Sequence, residues 1–396
     1  MKVLCVFGKY QYGDSSRGIS TEYAAFVPAL KRLGHEVVHF EAWDHKLYSS
    51  YAELNRMLLE AIERELPDVL LAVQLNYEIW LETLQAIKKR GHVAAICWMT
   101  DDSWKYREVS RFIGNAYHAV TTTYPDVVPQ YYHDGIPNVL LTQWAANSET
   151  LQEPLAAIDC QYRVSFVGTA HGNRKRRIEE LCAHGIDVSC FGYGWPAGPV
   201  SAEDIPHVMR QSIISLNYAN SRGQNQIKAR TFEVSGAGGF LLTEYAPGLE
   251  KFYNTGKEID VFYRTEELID KIKYYLSHLE ERDSIARAGF VRTCREHTYE
   301  TRMKKVLDYA LCSRDKWLKN HRKQSGLSFE QAVQKHRINP LFKFLRKMLI
   351  LPCILIWGNI RGRRAARRLT FELSWRFFGR KTFTSSGWPG RMFPEQ

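Results

Sequence analysis

Residues 228–250 have the sequence KARTFEVSGAGGFLLTEYAPGLE, in which a short helical pattern leads through a glycine-rich turn into an apolar strand. The helical pattern begins after Lys228 and stops at the glycines, the residues that most often end a helix. The run at 239–245 is short and continuously apolar, as in a strand that is buried on both faces. Such strands belong to parallel sheets covered by helices on both faces, so this segment predicts an α/β fold.

The same alternation of short apolar runs and amphipathic stretches extends over most of the chain. In the second half, further strands are predicted at 163–172, 187–195, 213–219 and 259–264, and helices at 173–184, 265–280, 281–290 and 297–313. In the first half, strands are predicted at 2–8, 36–43, 68–75, 93–100, 119–124 and 138–145, and helices at 20–35 and 51–66. This order predicts two Rossmann-like, doubly wound sheets in tandem.

The length of 396 residues exceeds one ordinary core and suits two domains with an appendage. We expect an N-terminal Rossmann-like domain at 1–150, a second Rossmann-like domain at 160–313, and a basic amphipathic tail at 314–396. Ligands of open α/β sheets bind beyond the carboxyl ends of the strands. Two such domains would therefore face each other across a cleft that holds the site.

Charge is distributed unevenly along the chain, whose formal net charge is +11. From residue 314 onward the tail holds 19 Lys or Arg and 4 Asp or Glu, so it carries +15 and leaves −4 for the rest. A basic tail indicates an anionic surface, either a membrane or a nucleic acid. No aromatic-interleaved nucleic-acid-binding pattern is apparent, so we expect no nucleic-acid partner.

Cysteine usage and the N-terminus predict a cytoplasmic protein. The eight cysteines form no CxxC pair and lie mostly in apolar runs, which is typical of reduced core residues. No cluster of His and Cys has the spacing of a metal site. The run at 2–8 is the pattern of a strand and not of a signal peptide.

The helix that begins after Lys228 carries the residue types that bind a diphosphate. Its N-terminus offers unpaired N–H groups and the positive end of the helix dipole. Lys228 and Arg230 add cations, and Arg suits bidentate phosphate contacts. Glu233 follows Arg230 by about one helical turn. The alternative interpretation is a solvated helix start with an internal salt bridge.

A second basic segment, FVGTAHGNRKRR, occupies residues 166–177. Gly168 ends a predicted strand, and Arg174 falls in the first turn of the following helix, where a cation opposes the helix dipole. That placement is unfavourable unless an anion lies nearby, so we predict that Arg174 contacts a phosphate. His171 would meet the diphosphate or the acceptor, or serve a structural role. The alternative for residues 175–177 is a solvent-facing basic helix.

Five further residues complete the predicted nucleotide site. Gly238 and Gly239 would allow close approach of the backbone to the ligand. Tyr193 or Trp195 would stack on the base, although a Trp packed in the core explains that position equally well. Glu250, just after the turn that follows the strand at 239–245, would reach the donor.

Taken together, these motifs resemble the donor half of a GT-B glycosyltransferase, specifically the CgeB-like family of spore-maturation type (glycosyl transferases group 1). The resemblance covers 165–310 strongly and 1–150 only in outline. It implies a nucleotide diphosphate sugar as substrate, a ribose contact for Glu233, and no metal ion. The absence of a DxD motif agrees with that last expectation. One departure is Asn225, which stands where the retaining pattern has a second carboxylate, so neither that motif nor its stereochemistry is predicted.

An inverting enzyme needs a general base near the acceptor hydroxyl. The first half offers Asp14, in the loop after the first strand, and Asp101 or Asp102, after the fourth. Both loops follow the carboxyl ends of strands, so both point towards the predicted cleft. Each aspartate is also explained as a helix N-cap. A retaining enzyme would need no base here, and the sequence does not decide between the two reactions.

The tail contains an uncharged stretch, 348–360, which at 13 residues is shorter than the roughly 20 that a spanning helix needs. Pro352 interrupts it, and Lys and Arg flank it on both sides. This pattern predicts an in-plane anchor on the anionic inner face of the cytoplasmic membrane. The alternative is a C-terminal helix packed on the first domain. Residues 384–396 have the composition of a disordered end.

The sequence thus predicts a metal-independent glycosyltransferase acting on a hydroxyl of a glycan, a lipid-linked saccharide or a protein. Two alternatives remain. A nucleotide-sugar epimerase or hydrolase on the same fold would consume the donor without an acceptor. A non-catalytic, membrane-bound scaffold would bind the nucleotide sugar without turnover.

Overall fold

The computed structural model describes residues 1–220, 224–320, 329–336 and 340–393. The chain divides into two compact units. Unit 1 comprises 1–142 and 303–396, and unit 2 comprises 143–302. Each unit contains one parallel sheet with helices, so the predicted α/β fold with two doubly wound sheets is confirmed.

Unit 1 is built on a six-stranded sheet with the strand order β2-β1-β3-β4-β5-β6. Every neighbouring pair in this sheet is parallel. The strands are β1 (Lys2–Val6), β2 (Glu36–Phe40), β3 (Val69–Ala72), β4 (Ala94–Trp98), β5 (Ala119–Thr122) and β6 (Val139–Leu141). The strands β3 and β4 and residues 3–6 of β1 are fully buried, as their continuous apolar sequences predict.

The first two helices of unit 1 fall at the predicted positions, 20–35 and 51–66. Ser20 caps the first, accepting a hydrogen bond from the Tyr23 amide at 3.1 Å. The helices before the chain enters unit 2 are α1 (Thr21–Arg32), α2 (Tyr51–Glu65), α3 (Leu81–Arg90), α4 (Asp102–Lys105), α5 (Arg111–Ile113) and α6 (Val128–His133).

Unit 2 repeats the design with five parallel strands in the order β11-β10-β9-β7-β8. The strands are β7 (Tyr162–Val167), β8 (Ser189–Phe191), β9 (Ser212–Asn217), β10 (Leu241–Glu244) and β11 (Asp260–Phe262). The helices are α7 (Arg174–Ala183), α8 (Ile205–Arg210), α9 (Ala229–Gly236), α10 (Thr265–Ser277) and α11 (Leu279–Glu296).

Arg282 anchors α11 to the sheet of unit 2. Its side chain is 0% exposed and its guanidinium donates to the carbonyls of Ser212 at 2.8 Å, Ile213 at 2.6 Å and Leu155 at 3.0 Å. A buried guanidinium is tolerated because these acceptors replace water. The contact also fixes the segment that precedes β7 against the start of β9.

The two sheets share one topology, in which the chain order reverses beside the first strand. The reversal lies between β1 and β3 in unit 1, and between β7 and β9 in unit 2. Ligands of doubly wound sheets bind at such switch points, beyond the carboxyl ends of the strands. The loops after these four strands are therefore the places to look for function.

The C-terminal part returns to unit 1 through α12 (Tyr299–Asn320), α13 (Phe329–Lys335), α14 (Pro340–Phe378) and α15 (Trp388–Met392). Helix α14 continues through Pro352 and breaks instead at Gly358, whose φ of 74° is left-handed. Its two halves then pack closely, because a Cβ at Gly362 would lie 2.5 Å from the Cys353 carbonyl oxygen.

The end of the tail packs on the body of unit 1. The Phe371 ring lies 5.8 Å from that of Tyr77, and the Ser385 hydroxyl donates to Glu82 at 2.9 Å. Phe383, Met392 and Phe393 are buried in this region. The predicted disorder is therefore wrong for residues 384–393; residues 394–396 lie outside the described part of the chain. None of the helices described in the structure is long and apolar enough to cross a membrane.

Candidate functional site

Arg174 connects the two loops of the switch point in unit 2. Its Nε donates to the Asn220 side chain at 3.2 Å, in the segment after β9. Its Nη1 donates to the Thr169 carbonyl at 3.0 Å, in the loop after β7. The guanidinium also lies 5.4 Å from the centre of the Phe166 ring. Because Arg174 begins α7, this network holds a cation at the N-terminal end of a helix, as the sequence predicts.

Further cations converge on Arg174. Burial and the nearby charge of Arg230 lower the pKa of Arg174. Burial, followed by the charges of Arg174 and Lys228, lowers the pKa of His171. The side chains of these four residues, which we call the cationic cluster (His171, Arg174, Lys228 and Arg230), therefore act on one another electrostatically. Their mutual repulsion would be relieved by an anion at this point.

Helix α9 brings its N-terminus to the same cluster. Lys228 occupies the N-cap position and its side chain makes no capping hydrogen bond. Arg230 and Glu233 form an ion pair at 2.7 Å, one turn apart and both partly buried. The salt bridge of the alternative interpretation is thus present, and it coexists with a cationic N-terminus that suits a phosphate.

The loop after β8 packs across Gly168. The Trp195 indole N–H donates to the Gly168 carbonyl at 2.7 Å, and its ring packs edge-on against Phe166. A Cβ at Gly192, whose φ is 136°, would lie 2.4 Å from the Gly168 oxygen. Trp195 therefore has a packing role, and the base-stacking role expected for it is not supported. Tyr193 in the same loop is 66% exposed and has a face for stacking.

Gly238 and Gly239 lie at the end of α9 that is remote from the cationic cluster. A Cβ at Gly238, with φ of 80°, would lie 2.5 Å from the Gln152 carbonyl oxygen. A Cβ at Gly239 would lie 2.7 Å from the carbonyl oxygen of Met209. These glycines therefore permit close packing of the protein on itself, and we no longer assign them to ligand binding.

Glu250 lies beyond β10, at the carboxyl edge of the same sheet, and its side chain is exposed. It accepts a hydrogen bond of 3.5 Å from the Tyr245 hydroxyl. The Asn225 amide donates to the Tyr245 carbonyl at 2.9 Å. Asn225 thus has a structural contact at the position where the retaining pattern would place a carboxylate.

Sequence reasoning missed the ion pair between Arg177 and Glu244. The two side chains meet at 2.7 Å, and the other Glu244 oxygen accepts the Ala219 amide at 3.0 Å. The pair joins α7 to β10 and the loop after β9, which holds Arg174 in place. Lys175 and Arg176 are exposed, as the solvent-facing alternative predicts, while Arg177 is not. The sequence signal for a buried carboxylate at this position was the run of apolar residues around Glu244 in its strand.

In unit 1, Asp102 is enclosed. It is 1% exposed, with one oxygen accepting the Ser110 hydroxyl at 2.6 Å and the other the Tyr131 hydroxyl at 2.7 Å. Burial raises the pKa of Asp102. A carboxyl group with both oxygens engaged beneath the surface cannot reach an acceptor, so we no longer assign it as the general base.

The Asp14 carboxylate stabilises the turn in which it lies. Its carboxylate accepts the Ser16 amide at 3.1 Å and pairs with Arg17 at 3.4 Å. The hydrogen bonds from Ser16 lower the pKa of Asp14, which makes it a weaker base. The N-cap interpretation therefore accounts for Asp14.

Asp101 has the geometry of a functional residue. It is exposed, makes no capping hydrogen bond, and has a left-handed φ of 54°. Non-glycine residues in this conformation are strained and cluster at functional sites. Its charge raises the pKa of Glu22, though burial of Glu22 contributes more. Tyr12, after β1, is the neighbouring left-handed residue, with φ of 55°. Sequence reasoning missed Glu22, which looked like an ordinary first-turn acid of α1.

All eight cysteines are free thiols, and Cys5, Cys97 and Cys353 are buried. Burial raises the pKa of Cys97 to about 12, so this thiol is unreactive. Within the described residues, no three His, Cys, Asp or Glu side chains are grouped to hold a metal ion.

Part of the chain is similar to a known protein family. Residues 174–308, which contain the cationic cluster except His171, match a family described as glycosyl transferase-like. This match is to the general family, and the narrower CgeB-like type stays a prediction. No curated protein matches the chain.

Several solved structures share the fold at low sequence identity. Sucrose-phosphate synthase from Thermosynechococcus elongatus superposes with a TM-score of 0.55 at 10% identity, over 79% of this chain and 100% of that one. HepE from Anabaena, in complex with UDP and glucose, gives 0.54 at 10% identity, over 78% and 99%. AviGT4, a glycosyltransferase involved in avilamycin A biosynthesis, gives 0.52 at 14% identity, over 80% and 98%. The fold is therefore that of the GT-B glycosyltransferases, as predicted.

Proposed function

We propose that the protein is a glycosyltransferase that moves a sugar from a nucleotide diphosphate sugar to a hydroxyl group of a glycan, a lipid-linked saccharide or a protein. The observation that carries this proposal is the cationic cluster at the β7/β9 switch point. It lies in the unit that contains most of the segment matched by the glycosyl transferase-like family. The structure of HepE with UDP-glucose makes that donor the first to test.

The cluster would act on the leaving group. As the bond between the sugar and the diphosphate breaks, negative charge grows on the diphosphate. Arg174, Arg230 and Lys228, together with the N-terminus of α9, would stabilise that charge. Because these groups supply the positive charge, the proposed reaction needs no metal ion.

Other residues of unit 2 would position the donor. Tyr193 offers an exposed ring to the base. Glu233 would accept hydrogen bonds from the ribose hydroxyls with the oxygen that is not paired to Arg230. Glu250 would contact the sugar or the ribose from the loop after β10. His171 would donate to a phosphate oxygen once protonated.

Asp101 is the proposed general base for an inverting transfer. It would take the proton of the acceptor hydroxyl while the acceptor oxygen bonds to the anomeric carbon. The bond from that carbon to the diphosphate would break, and the diphosphate would leave with the electron pair. This role applies to inversion, and the anomeric configuration of the product decides it.

The test is a donor-consumption assay with purified protein. UDP release from UDP-glucose and related sugars is measured with and without an acceptor fraction of glycans and lipid extract, in the presence of EDTA. Transfer predicts that release requires acceptor and is lost in Arg174→Gln/Arg230→Gln but not in the exposed control Arg176→Gln. Release without acceptor would indicate a hydrolase or epimerase, and tight binding without any release would indicate a scaffold.

We also propose that α14 attaches the protein to an anionic lipid bilayer. Around Gly358 its apolar side chains face solvent, with Leu355 87% exposed and Ile360 70% exposed. Leu351, Ile356 and Trp357 are also exposed. The exposed cations Lys343, Lys347 and Arg361 border this patch. Exposed apolar side chains flanked by cations complement a bilayer that bears negative headgroups.

Sedimentation with liposomes tests the attachment. Leu355→Asp/Ile356→Asp should abolish binding to vesicles rich in phosphatidylglycerol. Ile158→Asp, which alters a side chain 82% exposed in unit 2, should leave binding unchanged. Equal binding by all three proteins would refute the proposal. Point substitutions are preferable to removing 340–396, because that deletion would strip Phe371 and Phe383 from the body of unit 1.

A further inference from the structure

A cavity of about 580 Å³ lies in unit 1, where the loop after β1 and the turn after β2 meet α14. A smaller neighbour of about 170 Å³ shares Tyr12 and Arg367 with it and extends to residues 75–78, after β3. Together the two cavities occupy the β1/β3 switch point, the ligand position of this topology.

Cations dominate the walls of the larger cavity. The residues concerned are Arg17, Lys46, Arg346, Arg363, Arg364 and Arg367. The last three, with Ile360, follow the spacing i, i+3, i+4 and i+7, so they form one face of the second half of α14. In the sequence these arginines are only part of a basic run. In the structure they line a cavity.

The acidic residues of the cavity do not balance this charge. Among the described residues, the carboxylates that line the cavity are Asp14 and Asp44. Asp14 is engaged by Ser16 and Arg17, and Asp44 accepts the Lys46 amide at 3.1 Å. Counting these eight side chains, the cavity carries a net charge of +4.

Arginines on another face of the same helix pair with carboxylates, whereas Arg363 in the cavity wall donates to the neutral Asn359 side chain at 2.8 Å. Arg368 forms ion pairs with Glu108 and Glu372, and Arg376 also pairs with Glu372. In the cavity, by contrast, two carboxylates face six cations among the described residues. Like charges four residues apart, as at 363 and 367, destabilise a helix. Packing α14 on unit 1 therefore does not explain this face.

Part of the positive charge of this cavity is withdrawn from solvent. Arg346 is partly buried, and its guanidinium lies 5.4 Å from the centre of the buried Phe393 ring. Burial and the charge of Arg363 lower the pKa of Arg346. Cations brought together around a cavity attract a polyvalent anion strongly, and arginine forks match phosphate oxygens in pairs.

We propose that this cavity binds a phosphate or pyrophosphate group of the acceptor, so that the protein glycosylates a phosphate-bearing substrate. The proposal rests on the proposed function and adds the class of acceptor. Arg363 and Arg367 bind the anion from α14, and Lys46 binds it from the turn after β2. A volume of about 580 Å³ holds a pyrophosphate with part of a sugar. Ile350 and Ile360 at the wall suit the first carbons of an attached lipid.

The test is calorimetric titration of the full chain with inorganic pyrophosphate and with farnesyl pyrophosphate. Saturating UDP-glucose is present so that the cationic cluster of unit 2 is occupied. Arg363→Gln/Arg367→Gln should weaken pyrophosphate binding at least tenfold. The control Arg380→Gln/Lys381→Gln removes the same charge from exposed positions outside the cavity and should leave binding unchanged.

Unchanged pyrophosphate affinity in the cavity variant, or no binding by the wild type, would overturn the proposal. Tighter binding of an oligoglucuronate than of pyrophosphate would overturn the phosphate assignment. If the cavity variant binds neither probe, the affinities of the wild type decide the kind of acceptor. Tighter binding of farnesyl pyrophosphate than of pyrophosphate identifies a lipid-borne acceptor, and equal affinity identifies a soluble one. UDP-glucose binding is measured first in the same samples, so a failure of the donor site is seen separately.

Discussion

Asp101 combines exposure, a strained backbone and the neighbourhood of Glu22 and Tyr12. We predict that Asp101→Asn lowers kcat for transfer by about 100-fold or more, the range for loss of a general base. Binding of UDP-glucose should be unaffected, because the donor residues belong to unit 2. Asp126→Asn, at an exposed aspartate after β5, is the control. Equal kcat in Asp101→Asn and wild type would remove Asp101 from the mechanism.

His171 should make donor binding depend on pH. Its pKa is lowered in the free protein by burial, Arg174 and Lys228, so the imidazole is neutral at pH 7. A bound diphosphate raises that pKa, so binding takes up a proton. Affinity for UDP-glucose, whose diphosphate does not titrate near neutrality, should therefore rise as pH falls from about 8 to about 5.5.

Calorimetry across this range measures the effect, and His171→Gln should flatten the pH profile. A profile that is unchanged in the variant would show that His171 does not face the diphosphate.

Patterns of neighbouring residues in the sequence predicted some candidate site residues and missed others whose partners are distant in the chain. Arg174 could be predicted because a cation in a first helical turn is unfavourable by itself. The packing contact of Trp195 could not be predicted because its partner, the Gly168 carbonyl, lies 27 residues away in the chain. Glu22, Asn220 and Glu244 acquire their importance only from contacts between loops that the sheet brings together.

At the scale of elements, the turn after α9 shows why a glycine is required. Gly238→Ala should destabilise the protein by about 2–4 kcal/mol, from left-handed strain plus a clash with the Gln152 carbonyl. Gly185→Ala is the matched control, since its φ of 77° is similar but no atom lies within 4 Å of its Cβ. It should cost only about 1 kcal/mol. Denaturant midpoints measure both, and equal losses would refute the clash.

Helix α14 shows what a pattern of apolar and basic residues leaves open. The sequence placed the interruption at Pro352, since proline usually breaks a helix, whereas the helix turns at Gly358. The uncharged stretch and its basic flanks were evident in the sequence. Which arginines would pair with Glu108 and Glu372 and which would line a cavity depends on where the helix docks, which no local pattern encodes.

At the scale of the molecule, two parallel sheets were predictable because buried parallel strands have continuous apolar sequences. The strand order was not, because every strand has a similar pattern and the order depends on helix crossovers. That order puts the loops after β7 and β9 together, and likewise those after β1 and β3.

Buried histidines should make the whole molecule acid-sensitive. His297 accepts the Arg302 guanidinium at 3.1 Å and donates to the Phe252 carbonyl at 2.8 Å, and burial lowers its pKa to about 4. The unfolded chain binds the proton more readily, so this stability is complete above pH 6.5 and is lost as pH falls towards 4. The loss at His297 is roughly 3 kcal/mol.

Urea midpoints between neutral pH and pH about 4.5 measure this loss. His297→Gln should reduce the decline relative to the wild type, while the exposed His184→Gln should not. An identical decline in all three would mean that other groups control the acid transition. Burial likewise lowers the pKa of His118 in unit 1, to about 3, so both units should respond.

Hydrogen exchange of the full chain with and without UDP-glucose, followed by mass spectrometry, tests whether a nucleotide diphosphate sugar binds at the β7/β9 switch point of unit 2. Binding there predicts slower exchange in peptides covering 168–174 and 224–233, with loss of that protection in Arg174→Gln/Arg230→Gln. Protection confined to other segments, or the same protection in the variant, would show that the nucleotide sugar does not bind at this switch point.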